Sequence, residues 1–183
     1  MDLLKTNSIQ KILKIFLIIF IGTMALTASA KLKIPFYPVP MTMQTFVVLF
    51  LGLAFGYKIG LAIVGVYLLE GIIGMPVFSN SPEKGVGLIY FTGPTMGYLI
   101  GFLSAIFFTR YLNLEDTIFI VFCKLTLSVS TIYLCGALWL GTLIGWYKPI
   151  LELGVTPFLL AELFKICLLT LLAKKIIKLR KFI

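Results

Sequence analysis

The chain has 183 residues, of which 60% are hydrophobic and only 13% charged, and its mean hydropathy is +1.08. A soluble domain is nearer half apolar and a quarter charged, so a core of this size cannot hide the excess and lipid must cover part of it. The net charge of +9 sits mainly at the ends of apolar runs, which argues against a nucleic-acid surface, and the length fits a single domain, residues 1–183.

Taken in chain order, the apolar runs predict about six membrane spans, near residues 10–30, 42–55, 59–73, 94–113, 117–140 and 157–177. The first follows Lys5, Lys11 and Lys14. It can also be read as a secretory signal ending at Ala28-Ser29-Ala30, although its apolar stretch is long for one and cleavage would leave five spans. Within it, Ala25 and Ser29 form a small-xxx-small pair with Gly22 and Ala28 nearby, a pattern that lets a partner helix approach closely. The segment Lys31–Pro40 follows. Its three prolines predict a stiff extended strand of chain.

The second span is short and ends at Gly56. It opens with Thr42, Gln44 and Thr45, polar side chains that can either bond a ligand or cap the helix. The third span carries Glu70 near its end and stops at Gly74-Met75-Pro76. The connection from Met75 to Thr92 is long and rich in glycine and aromatics. It reads as a lid or partly inserted loop, with an ordinary solvated loop as the alternative. Pro94 suits the first turn of the fourth span, and Asp116 suits the positive end of the fifth. Cys123, Cys135 and Cys167 read as small buried hydrophobes.

Charges inside spans are costly unless paired or facing a cavity, so they mark function by default. Glu162 and Lys165 lie three apart on one face of the sixth span. The competing reading is an ion pair that only fixes helix packing. Glu70 and Lys124 form a second such set, read as structural, with mutual pairing possible. Six spans place both termini on one side. They, Lys58 and Arg110 bring ten basic residues to that face, against four (Lys31, Lys33, Lys84 and Lys148) on the other, so both termini are expected in the cytoplasm.

Absences narrow the chemistry. With no histidine, no clustered thiols and no phosphate-binding glycine-lysine loop, neither a catalytic residue, a metal site, a cofactor nor an ATPase is expected in this chain.

Several segments in order, ALTASAKLKIPFYPVPMTMQTFVVLFLGLAFG, YLLEGIIGMPVFSNSPEKGVG, FTGPTMGYLIGF and PFLLAELFK, resemble the BioY family, the biotin-specific substrate-binding components of energy-coupling-factor transporters. The resemblance implies an all-α bundle of six transmembrane helices in a prokaryotic cytoplasmic membrane, with a loop-capped, outward-facing pocket. It implies biotin as ligand and, as partners, a transmembrane coupling protein and two cytoplasmic ATPases, with Gly22, Ala25, Ala28 and Ser29 as a docking face. It places Glu162 and Lys165 at the ureido group, with Phe78 and Tyr90 over the apolar part. Asn80 and backbone N–H groups around Gly93 are expected near the carboxylate, and Gln44 and Thr95 complete the set. The family pattern has aspartate where this chain has Glu162 and glycine where it has Met96, so the resemblance leaves room for a different small vitamin. A purely structural membrane protein is the reading from another class.

Overall fold

The computed structural model describes residues 2–35, 41–83 and 85–182, with side chains described for 9–35, 41–83 and 85–180. Residues 36–40 and 84, which hold half of the proline-stiffened segment and one lysine of the less basic face, lie outside the described residues, as do the side chains of Lys5 and Lys181. The chain forms α1 (Asp2–Lys31), a two-stranded antiparallel ladder of β1 (Lys33–Ile34) and β2 (Met41–Thr42), then α2 (Gln44–Ile72) and the short α3 (Leu88–Phe91). It continues through α4 (Met96–Phe108), α5 (Ile118–Ile144), the short α6 (Ile150–Gly154) and α7 (Leu159–Ile177).

Four stretches among the described residues are long and apolar enough to cross a membrane, Ile9–Lys31, Gln44–Ile72, Ile118–Ile144 and Ile150–Arg180, and Met96–Tyr111 is a shorter apolar one. Their outer faces are apolar too. Phe16, Phe20 and Ile21 on α1, Phe119 and Leu134 on α5 and Leu171 on α7 are all exposed, as suits helices solvated by lipid.

The element α2 is bent back on itself. At Gly56 the backbone takes φ 80 and ψ 161, a conformation that costs a side-chain-bearing residue heavily. In a straight helix, eight residues would separate Gly52 and Gly60 by about 12 Å. Here a Cβ built on Gly60 would lie 3.2 Å from the Gly52 Cα, and the Gln44 Nε2 donates to the Tyr67 Oη at 2.9 Å. Stretches 44–55 and 57–72 are therefore antiparallel arms of a hairpin, reversing at the glycine that closes the short apolar run in the sequence.

Helices α4 and α5 approach most closely through missing side chains. A Cβ on Gly97 would sit 2.4 Å from the Cys135 carbonyl oxygen, and one on Gly101 2.6 Å from the Ile132 Cα. Where apolar burial gains little from lipid, such backbone contact is what holds helices together.

Several expectations need correcting. The fourth helix starts at Met96 behind Thr95, so Pro94 precedes it and does not occupy its first turn. Thr117 caps α5, its hydroxyl accepting from the Ile120 N–H, while Asp116 accepts from the Asn113 N–H and from Lys124. Lys124 therefore pairs with Asp116 and donates to the Tyr111 carbonyl; it does not pair with Glu70. A lysine two turns into a helix reaches back along the helix because its four-carbon stem can snorkel to a polar end. Cys123 and Cys167 are exposed and only Cys135 is partly covered, so the thiols are not core residues. In α1, a Cβ on Gly22 would strike Ile63 and Ser29 is buried, whereas Ala25 is half-buried and Ala28 exposed. Two of the four docking candidates thus pack within the chain.

Candidate functional site

A cavity of about 620 Å³ opens at the end of the bundle where β1, β2, the loop after α2 and α6 gather. Its apolar walls come from Leu99 and Phe102 on α4, Ile132 and Leu140 on α5, and Phe158 before α7. Tyr98 and Tyr133 stand edge to face on one wall, with ring centroids 5.9 Å apart. That volume and lining, apolar with few polar groups, are those of a small-molecule site.

The polar centre joins two elements remote in sequence. Glu162 lies in the first turn of α7, where the helix dipole favours an anion. Lys165, one turn on, donates to the Glu162 Oε1 at 2.8 Å and to the Thr45 Oγ1 at 2.9 Å. The Thr45 hydroxyl stands 2.9 Å and 3.0 Å from the two Glu162 oxygens, and its single proton is shared between them. The Lys165 and Glu162 side chains are only 4% and 6% exposed. Two of the three ammonium protons are engaged, and the Glu162 Oε2 has only a share of the hydroxyl. The cluster therefore still offers one N–H donor and a carboxylate oxygen toward the cavity.

The loop after α2 is packed down as a cap. Phe78, 1% exposed, lies between Tyr67, Tyr90 and Phe91, with centroids 5.2, 4.8 and 5.4 Å away. The Tyr67 Oη donates to the Val77 carbonyl at 3.1 Å, the Tyr90 Oη to the Ser79 carbonyl at 2.5 Å, and the Lys31 Nζ to both oxygens of Ser81. Val77, Phe78, Ser81 and Tyr90 are buried, so the loop is anchored by packed side chains, while Met75, Pro82, Glu83, Leu88 and Ile89 stay exposed. Its far end is pinned by the Trp139 indole, which donates to the Gly93 carbonyl at 2.9 Å.

Of the residues expected at the ligand, Gln44, Asn80, Tyr90, Thr95, Glu162 and Lys165 line the cavity together. Phe78 and Gly93 do not. Phe78 holds the cap, and Gly93 turns its N–H to the Tyr90 carbonyl, so it offers no open donor. Met96 is also outside the lining. The aromatic wall of Tyr98, Tyr133 and Phe158 was not anticipated, because aromatics within apolar runs read the same whether they face lipid or a cavity. Lys33 at the mouth was anticipated only as a flanking charge. Thr45 was singled out with its neighbours, and the structure supplies its partner.

Comparison with known proteins agrees with this architecture. The chain is 32% identical to the biotin transporter BioY of Thermotoga maritima over 160 residues, 87% of this chain and 93% of that protein. It is 31% identical to the probable biotin transporter BioY of Pyrococcus horikoshii, over 83% of this chain and 90% of that one. Its fold matches the crystal structure of the S-component for biotin from an ECF-type ABC transporter with a TM-score of 0.75, at 23% identity over 92% of this chain and 93% of that one. The BioY family model matches residues 4–182, so nearly the whole chain, cap and buried cluster included, carries the pattern: the chain belongs to the BioY family.

Proposed function

We propose that this protein is the biotin-binding subunit of an energy-coupling-factor uptake transporter, capturing the vitamin outside a prokaryotic cell and delivering it across the cytoplasmic membrane. In this reading the chain crosses the membrane six times, the two arms of α2 counting separately, and the cavity faces outward. The basic face that holds Lys58, Arg110 and the charged ends of the first and last helices is then cytoplasmic, with both termini. A transmembrane coupling protein and cytoplasmic ATPases supply the energy, since no phosphate-binding loop stands in this sequence. Ala28, exposed on α1, remains a candidate for contact with the coupling protein.

The observation that carries the proposal is the Thr45–Glu162–Lys165 cluster at the cavity wall. A ureido group presents two N–H donors and a carbonyl acceptor. A carboxylate oxygen with spare lone pairs and an ammonium with a spare proton match that pattern, and charged partners make such bonds roughly twice as strong as neutral ones. The thiophane ring and valeryl chain suit the wall of Tyr98, Phe102, Tyr133 and Phe158. The protein purified in detergent is expected to bind biotin saturably, with a change in tryptophan fluorescence because Trp139 is bonded to the edge of the cap. Absence of saturable binding by both fluorescence and calorimetry, in folded protein, overturns the reading. Tighter binding of another vitamin redirects it within the same class.

A further inference from the structure

The charges around the cavity do not cancel. Among the described lining residues the ionisable groups of fixed charge are Lys33, Glu162 and Lys165, and the last two neutralise each other. Lys33 is left over. It has no carboxylate partner among the described residues, where the ion pairs are Lys124–Asp116 and Lys165–Glu162. Its ammonium donates to the Asn80 Oδ1 at 2.5 Å, a bond to a neutral amide that uses one of three protons. The cavity therefore carries one uncompensated positive charge at its mouth.

Its position relative to the buried cluster is set by the fold. In the strand ladder Lys33 lies opposite Thr42. Thr42 stands three residues before Thr45, whose hydroxyl holds Glu162. Lys33, exposed, and Asn80, half-buried, thus line the solvent-facing part of a cavity whose buried part holds the Glu162–Lys165 cluster, with Tyr98, Tyr133 and Phe158 in the same lining. Asn80, held at φ 59 in the cap turn, has its amide N–H₂ free to donate beside the lysine once Oδ1 is taken.

We propose that Lys33, with Asn80 beside it, is the anchor for the carboxylate of the ligand, so that the cavity selects an amphipathic monoanion over its neutral analogue. The inference rests on the biotin-binding reading and adds to it the group that reads the ligand's charge. A lysine at the mouth, partly hydrated, suits a carboxylate that enters last and must also leave.

Biotin and its neutral primary amide, titrated calorimetrically against wild type, Lys33→Met and Lys33→Glu in detergent, separate the outcomes. Wild type is expected to prefer biotin to the amide by about ten- to a hundredfold, the usual worth of one charge-assisted hydrogen bond. Lys33→Met should lose that preference by weakening biotin alone, and Lys33→Glu should invert it, while both still bind the amide as wild type does. A Lys33→Met protein that keeps the preference, or loses both ligands equally, overturns the assignment, the second result marking Lys33 as a prop for the hairpin. A wild type that binds neither ligand overturns the biotin reading and this inference with it. A wild type that binds both alike overturns the inference alone.

Discussion

Two lysine–carboxylate pairs, each 2.8 Å long, sit toward opposite ends of this bundle. Lys165–Glu162 borders the cavity with its side chains 4% and 6% exposed, whereas the side chains of Lys124–Asp116 are 29% and 12% exposed beside the turn before α5. Equal distance conceals unequal physics. A buried pair carries a large desolvation penalty that is offset only when its remaining lone pairs and protons are met, which Thr45 does in part and a ligand can complete. A half-buried pair at the rim keeps more of its solvation, so it loses less and gains less. The contrast extends to the surroundings. Around the first pair the packing leaves space and a loop closes over it. Toward the other end Arg180 donates to the Leu53 carbonyl, and a Cβ on Gly52 would lie 2.6 Å from the Thr109 Oγ1, so the helices are closed on one another.

The largest expected effect tests the first pair directly. Glu162→Gln leaves Lys165 buried without its counter-charge, a loss of about 3–5 kcal/mol where such pairs are broken, and it removes the strongest acceptor in the cavity. Biotin affinity should fall a hundredfold or more by calorimetry. Glu70→Gln, on a half-buried residue outside the cavity lining, should leave it nearly unchanged. Equal losses in both variants would reduce the cluster to a packing device. Next in size is the cap. A Cβ on Gly71 would lie 2.0 Å from the Phe78 Cζ, so Gly71→Ala must displace that ring and with it the cap, an overpacking cost of about 1–3 kcal/mol. Faster biotin release, measured by stopped-flow fluorescence, is the expected signature. Gly52→Ala, also crowded but against Thr109 at 2.6 Å, should lower thermal stability in detergent and leave release unchanged. If both glycines alter release alike, the two ends are not independent.

How much of this contrast the sequence held differs by region. The reversal at Gly56 was legible because a short apolar run ended on glycine, the residue that tolerates φ 80. Glu162 and Lys165 were legible because a charge amid leucines demands a reason. Lys124 met the same test and reads as structural, which its ion pair fits, but its partner is Asp116 and not Glu70. Its nitrogen leaves the helix interior by the length of its own stem, and residue position alone does not show where the charge ends up. The aromatic wall was hidden for the opposite reason, since Tyr98 and Phe158 sit among residues as apolar as themselves. Phe78 and Tyr90 share one loop, yet only Tyr90 reaches the cavity. Which aromatic clamps the cap and which lines the site is decided by Gly71 and Tyr67, on another element.

Smaller effects probe how far the cluster depends on its neutral member. Thr45→Val keeps the shape and removes one hydroxyl that donates to Glu162 and accepts from Lys165. A hydrogen bond to a charged group contributes about 1.5–3 kcal/mol, and the direct Lys165–Glu162 bond survives, so the low end of that range is expected, roughly a tenfold loss of biotin affinity.

The smallest effect belongs to the half-buried Lys124–Asp116 pair. Burial alone would raise the Asp116 carboxyl, but the hydrogen bond from Lys124, the Asn113 N–H and the lysine charge together hold it below the ordinary aspartate value. A group whose folded-state value is depressed stabilises the fold above its unfolded value, about pH 4, and that contribution disappears as pH falls through the lower folded value. Asp116→Asn should therefore cost less than about 1 kcal/mol at neutral pH, and the difference from wild type should shrink on acidification. Thermal unfolding of both proteins in detergent, compared at pH 7 and near pH 3, checks the sign, with ΔTm narrowing toward acid. Biotin affinity at pH 7 should not move. A change there would mean that the Lys124–Asp116 pair communicates with the cavity, and the division between a stabilising end and a binding end would have to be abandoned.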